Sequence, residues 1–203
     1  MGLIWLGVAM IIDGLDGPLA RKVDVFTHTP RFDGAVLDFV IDYLTYTVIP
    51  ALMVARFALV PEPFELPAAA FIMATSLYCF GNKDMKTADN YFQGFPALWN
   101  LVVLYIYVLG TGALFNLALI LALGALTFVP LKFIHPFRVR EWRALTLPLT
   151  ALWAAGAVFL VWFGNGPAPT PLLPESAVLG LWLLVSLYFA GLSLWRSALD
   201  WRS

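Results

Sequence analysis

The sequence predicts an all-α, polytopic membrane protein with about seven transmembrane helices, and three observations carry that prediction. Of the 203 residues, 61% are apolar and 12% charged, against about 45–50% and about 25% in soluble chains. The charges are also unevenly spread, with none in 66–82, 90–131, 144–174 and 176–195. Aromatics make up 15% and include 8 Trp, the residue type that anchors helices at the membrane–water interface. With 12 basic and 13 acidic residues, the chain lacks the basic surplus of a nucleic-acid binder. A single Cys79 excludes a disulfide framework and a cysteine zinc site.

A crossing takes about 20 mostly apolar residues, and on that basis helices are expected over 2–20, 34–59, 66–81, 94–110, 113–134, 144–164 and 176–196. The first twelve residues have neither a basic n-region nor a small-residue cleavage site, so the first segment is read as a span and not a signal peptide. The second and third spans part at Pro61-Glu62-Pro63. The run from Asn90 to Leu131 as one helix would extend about 63 Å, twice a bilayer core, so it must fold back. Gly110-Thr111-Gly112 is the place to do so. Pro130 is expected inside the fifth span, where neighbouring helices can satisfy the freed carbonyl. Gly164-Asn165-Gly166-Pro167 separates the last two spans. No repeat or soluble linker interrupts the chain, so residues 1–203 read as one domain.

Basic residues set the orientation. Arg21, Lys22 and Arg31 fall in the first connection, and Lys83 and Lys86 in the third. Lys132, Arg138, Arg140 and Arg143 fall in the fifth, with Arg196 and Arg202 at the tail. All lie on one side if seven spans alternate, and the opposite loops hold Glu62, Glu65 and Glu175. Odd-numbered connections are therefore expected in the cytoplasm, with Arg56 the one exception to the pattern.

Asp13, Asp16, Asp38 and Asp42 sit among apolar residues near the cytoplasmic ends of the first two helices. An aspartate at a helix centre costs about 2.5–3.5 kcal/mol to insert. Less is lost near the interface, but four together would repel. Asp13 and Asp16 are i,i+3, and Gly34, Asp38 and Asp42 are i,i+4,i+8, so each set shares one helix face. Two such faces turned together surround a space for divalent cations, and carboxylate oxygens suit Mg²⁺ or Mn²⁺. Gly17 and Gly34 leave backbone open, Ala20 keeps the wall low, and Arg21 offers a fork for a phosphate.

Asp13-Gly-Leu-Asp16-Gly17-Pro-Leu-Ala20-Arg21, twelve residues, then Gly34-xxx-Asp38-xxx-Asp42 resembles the signature of the CDP-alcohol phosphotransferases. The stretch between Arg21 and Gly34 is longer than the family's usual one. That spacer, with RFDGAVLDFVIDYLTYTVIPAL, NKDMKTADNYFQGFPALWN and HPFRVREWR, is similar to the bacterial phosphatidylcholine synthase branch. The resemblance implies transfer of a phosphatidyl group from CDP-diacylglycerol to choline, with two divalent ions. It implies Asp13, Asp16 and Asp38 as ligands of one ion and Asp13, Asp38 and Asp42 as ligands of the other. Asp42 matches the acceptor of the alcohol proton. Gly17, Ala20, Arg21 and Gly34 match the CDP-diacylglycerol site, to which Thr27 or Arg31 is a candidate addition. It further implies a homodimer in the bacterial inner membrane with its active site facing the cytoplasm. Family members carry a helix before the signature helix. Only twelve residues precede Asp13, so that helix is expected to be missing, and restoring it would make eight crossings.

Choline carries a quaternary ammonium, which suits aromatic faces. Tyr43, Tyr46 and Trp99 are the candidate contacts, with Tyr91, Phe92 and Trp142 behind them. His28 and His135 lack a second ligand at metal spacing and are read as loop residues. Three other readings stay open: a related transferase using serine, inositol or glycerol phosphate, a transporter with an acidic site, and a non-catalytic membrane scaffold.

Overall fold

The computed structural model describes residues 1–85, 87, 89–137, 139, 141–164 and 173–201, and of Phe26 only the backbone. Lys86, Arg138, Arg140, Arg202 and the expected Asn165-Gly166-Pro167 turn lie outside the described residues. The helices are α1 (Gly2–Lys22), α2 (Gly34–Arg56), α3 (Glu65–Gly81), α4 (Trp99–Leu109), α5 (Ala113–Leu126), α6 (Arg143–Gly164) and α7 (Glu175–Asp200). One turn over Val25–His28 lies between α1 and α2 and contains His28. Two short strands, β1 (Phe92–Gln93) and β2 (Lys132–Phe133), pair antiparallel, Phe92 opposite Phe133.

Four helices, α1, α2, α6 and α7, are long and apolar enough to cross a bilayer. Their outward faces present Leu, Ile, Phe and Trp, including Trp5, Leu52, Leu184 and Leu187. Water would penalise such surfaces and lipid does not, so this is a multi-pass membrane protein. α3, α4 and α5 have 17, 11 and 14 residues, shorter than the about 20 of a full crossing.

The fourth and fifth helices are shorter than expected because their outer ends unwind into a ribbon. Gly94 N–H donates to Leu131 O at 2.8 Å, continuing the β1–β2 pairing, and Phe95 N–H donates to Leu126 O, at the end of α5, at 3.1 Å. Pro130 accordingly lies in the turn after α5 and not inside a span. Gly94 is required there: its φ is +84° and a Cβ would sit 2.4 Å from Thr127 O. The fold-back occurs where expected, with Gly110 closing α4 in the left-handed conformation at φ +58°.

α4 packs between two cores. On one side Ala51, Val54, Ile72, Val103, Ile106 and Ile120 join α2, α3, α4 and α5. On the other, Leu101, Leu104 and Tyr105 meet Trp153, Trp182 and Val185 of α6 and α7. Polar side chains tie the helices where lipid gives no hydrophobic drive. Asn116 Nδ2 donates to Leu59 O at 2.7 Å, and Trp153 Nε1 donates to Tyr105 Oη at 3.0 Å. α1 meets the first core only at its edge, through Leu3. Leu6 is its one buried residue among those described, and it touches α4 and the middle of α2.

An ionic cluster joins the third and fifth connections to the end of α7. Asp89 Oδ2 accepts from Lys132 Nζ at 2.8 Å and Arg196 Nη2 at 2.7 Å. Lys132 also reaches Asp200 Oδ2 at 2.6 Å, and both cations lie 5.9 Å from the Tyr91 ring centroid. The backbone follows: Lys132 N–H donates to Ser197 Oγ at 2.7 Å and Ile134 N–H to Ser193 Oγ at 3.1 Å. Burial pushes the Asp89 carboxyl up, but hydrogen bonds from Lys132, Thr87 and Arg196 outweigh it and hold it well below the usual carboxylate range.

A carboxyl depressed by folding stabilises the fold above its unfolded pKa, and that stability is lost as pH falls toward the folded value. Asp89→Asn should therefore lower stability at pH 7 by about 1–2 kcal/mol, between an exposed pair and a hydrogen bond to a buried charge. Thermal melts in detergent should show the gap from wild type shrinking as pH drops below about 4. An unchanged melt at pH 7 would leave the cluster without a stabilising role.

Candidate metal centre

The site is built where α1 passes the first half of α2. Asp33 caps α2, its Oδ1 accepting from Ala35 N–H at 3.0 Å and Val36 N–H at 3.2 Å. That cap starts the helix and sets the phase of Gly34, Asp38 and Asp42 on it. Facing them is the later part of α1, which carries Asp13, Asp16, Gly17 and Arg21 around Pro18. Pro18 lacks an N–H, so the carbonyl of Gly14, four residues back, has no helical donor.

Asp13, Asp38 and Asp42 each turn one carboxylate oxygen inward, and the three atoms lie within 4.8 Å of one another. The set is all hard oxygen, the chemistry of Mg²⁺ or Mn²⁺ sites. Asp42 Oδ1 is buried without a hydrogen-bond partner. A buried carboxyl oxygen without a partner is costly unless something else satisfies it, and a divalent cation would do so. The residues fit a metal. Asp16, one helical step beyond Asp13, is half-buried and lies outside that set of three.

Past Asp42 the helix widens into a π turn over Tyr43–Val48. Steps of four residues on an α-helix drift around the axis by about 40° each, and a wider turn winds back against that drift. Tyr46 thus stays on the Asp13 side, donating from Oη to Asp13 Oδ2 at 2.8 Å. Its neighbour Tyr43 donates to Met73 O at 3.0 Å and sets its ring edge-on to Phe80.

Of the nucleotide-side candidates, Gly17 lies under Arg21, whose Nη1 would be 3.4 Å from a Cβ there. Gly34 faces open space and Ala20 is half-buried. Arg21, Thr27 and Arg31 are exposed. All border the α1–α2 connection.

The choline candidates fare differently. Trp99 is 1% exposed, donates to Ser76 Oγ at 2.9 Å and packs edge-on against Phe95. It belongs to the core that joins α2, α3, α4 and α5. Tyr46 is 9% exposed with its hydroxyl committed to Asp13. Tyr91 lies beneath Lys132 and Arg196, Trp142 against Trp195, and Phe92 stacks on His135. Tyr43 keeps a half-buried ring directly after Asp42. Sequence reasoning missed Asp33 and Asp89. The first had a signal, an Asp immediately before a glycine and an apolar run; the second had none.

Residues 1–131, α1 to α5 with every candidate aspartate, match the CDP-alcohol phosphatidyltransferase family. The chain is 50% identical to the phosphatidylcholine synthase of Pseudomonas aeruginosa over 199 residues, 98% of this chain and 81% of that protein. It is 42% identical to that of Mesorhizobium japonicum over 77% of this chain and 59% of that protein. It is also 42% identical to that of Bradyrhizobium diazoefficiens, over 90% of this chain and 68% of the relative. With the matched segment holding all four aspartates, the chain belongs to the CDP-alcohol phosphatidyltransferase family.

Proposed function

We propose that this chain transfers the phosphatidyl group of CDP-diacylglycerol to choline, giving phosphatidylcholine and CMP. The observation that carries the reading is the convergence of Asp13, Asp38 and Asp42 within 4.8 Å, in a chain half identical to a phosphatidylcholine synthase. The choline hydroxyl oxygen attacks the phosphorus that bears diacylglycerol. The bond from that phosphorus to the bridging pyrophosphate oxygen breaks, and CMP leaves. Asp42 accepts the hydroxyl proton, a role that suits its buried, partnerless Oδ1. Arg21 holds pyrophosphate oxygens with a planar fork, and Gly17, Ala20 and Gly34 let the nucleotide approach backbone. Mg²⁺ or Mn²⁺ held at this site would neutralise charge on the pyrophosphate and on the departing CMP. Asp13, Asp38 and Asp42 would hold one ion, and Asp16 with Asp13 and Asp38 would complete a site for a second. The carboxylates attract the choline ammonium, and the ring of Tyr43 supplies an aromatic face beside them.

The chain acts as one domain over residues 1–203, with seven spans in the bacterial inner membrane, as a homodimer, its site toward the cytoplasm. Pairing of β1 with β2, and the meeting of Asp89, Lys132 and Arg196, support the alternation. They bring the third connection, the fifth connection and the end of α7 to one end of the bundle. α3, α4 and α5 then cross as short helices extended by their flanking loops.

Two experiments test this. Asp42→Asn should lower phosphatidylcholine formation from labelled choline by about 10²–10⁴-fold, the worth of a positioned proton acceptor. Wild type should use choline in preference to serine, inositol and glycerol phosphate. Near-normal turnover in Asp42→Asn removes the proton-acceptor role, and transfer to another alcohol but not choline removes the acceptor assignment. For topology, Thr27→Cys and Asp84→Cys in a Cys79→Ala background should react with an impermeant thiol reagent only from the cytoplasmic side. Glu62→Cys should react only from the other. Labelling of Asp84→Cys from outside contradicts seven spans.

A further inference from the structure

We propose that Tyr46 is a positioning residue for the metal centre: its hydroxyl holds the Asp13 carboxylate in the orientation that completes the three-oxygen site. The inference rests on the metal-dependent reading above. It starts from how loosely α1 is otherwise held. Leu6 is its one buried residue among those described; Leu3 packs at the edge of one core, Met10 meets Asn100 of α4, and the later half, which carries Asp13, adds no buried side chain. An exposed helix so attached can rotate or slide, which would carry Asp13 away from Asp38 and Asp42. The hydrogen bond from Tyr46 Oη to Asp13 Oδ2, 2.8 Å long, spans that gap.

A carboxylate has two oxygens and several lone pairs. One donor on Oδ2 limits rotation of the group about its Cβ–Cγ bond and leaves capacity for a cation. Donors of this kind behind a metal ligand fix its orientation, and removing one typically lowers metal affinity by about 10- to 100-fold. A phenol suits this role because it donates one proton, and the Tyr46 ring, 9% exposed, places that donor rigidly. The π turn over Tyr43–Val48 puts the ring there, in keeping with the occurrence of such bulges at functional sites. Tyr43 is a built-in comparison. It carries the same hydroxyl three residues earlier but donates to the backbone of Met73 and not to a carboxylate.

The test is direct Mn²⁺ binding to the full chain in detergent, followed by electron paramagnetic resonance of the free ion, without substrates. Tyr46→Phe keeps the ring and removes the donor. It should weaken Mn²⁺ binding by about 10- to 100-fold, and raise the Mn²⁺ concentration for half-maximal activity in parallel, with the KM for choline within about two-fold of wild type. Tyr43→Phe should bind Mn²⁺ like wild type. If Tyr46→Phe binds Mn²⁺ like wild type, the inference is overturned, whatever happens to its melting temperature. A rise in choline KM with Mn²⁺ affinity unchanged also overturns it, and makes the ring a substrate contact. If wild type itself neither binds Mn²⁺ nor makes phosphatidylcholine, the metal-dependent reading fails first, and the two failures are told apart by the wild-type measurement.

Discussion

Everything at the active end of this protein depends on forcing three carboxylates together on apolar helices. Carboxylate oxygens lie within 4.8 Å of one another, and unit charges about 5 Å apart repel by on the order of 3 kcal/mol per pair at an effective dielectric of about 20. Interfacial water alone does not hold such groups at that spacing. Opposing charge or a donated proton relieves that repulsion. Asp33 starting α2, the π turn following Asp42, and the hydroxyl of Tyr46 all hold the groups against that repulsion. The rest of the fold supplies a bundle stiff enough to keep α2 in place.

That stiffness is concentrated away from α1. α2 is packed against α3, α4 and α5, and α4 also packs on the aromatic group of Trp153 and Trp182. The β1–β2 ribbon and the Asp89 cluster then tie the same end of the bundle to α7. α1 carries five of the eight signature residues yet meets the first core only at its edge, through Leu3, and buries only Leu6 among the described residues. Asp38 and Asp42 thus stand on a packed helix, and Asp13 and Asp16 face them from a helix with one buried residue among those described.

Much of this was legible in the sequence where periodicity carried it. The i,i+4,i+8 placement of Gly34, Asp38 and Asp42 needs only helical geometry, and the fold-back at Gly110 needs only bilayer thickness. Chemistry that depends on neighbours far along the chain was not legible. Asp89 sits in a loop with other charges, and its partners lie 43 and 107 residues away. Trp99 reads as a candidate choline contact, and nothing near it in sequence shows that Ser76, on another helix, accepts its N–H. The outer ends of the fourth and fifth segments are apolar enough for helix, but Gly94 and Pro130 favour the ribbon, and pairing between them decides it. Tyr46 was visible as an aromatic near Asp42. Its link to Asp13 depends on a π turn that no residue pattern announces.

Joint binding of a divalent cation by Asp13, Asp38 and Asp42 is tested most directly by anomalous diffraction from crystals grown with Mn²⁺. The predicted result is a Mn²⁺ anomalous peak between α1 and α2, about 2.0–2.6 Å from a carboxylate oxygen of each of the three, the range of hard-cation ligands. A peak elsewhere in the protein with none among these aspartates, at saturating Mn²⁺, would contradict it.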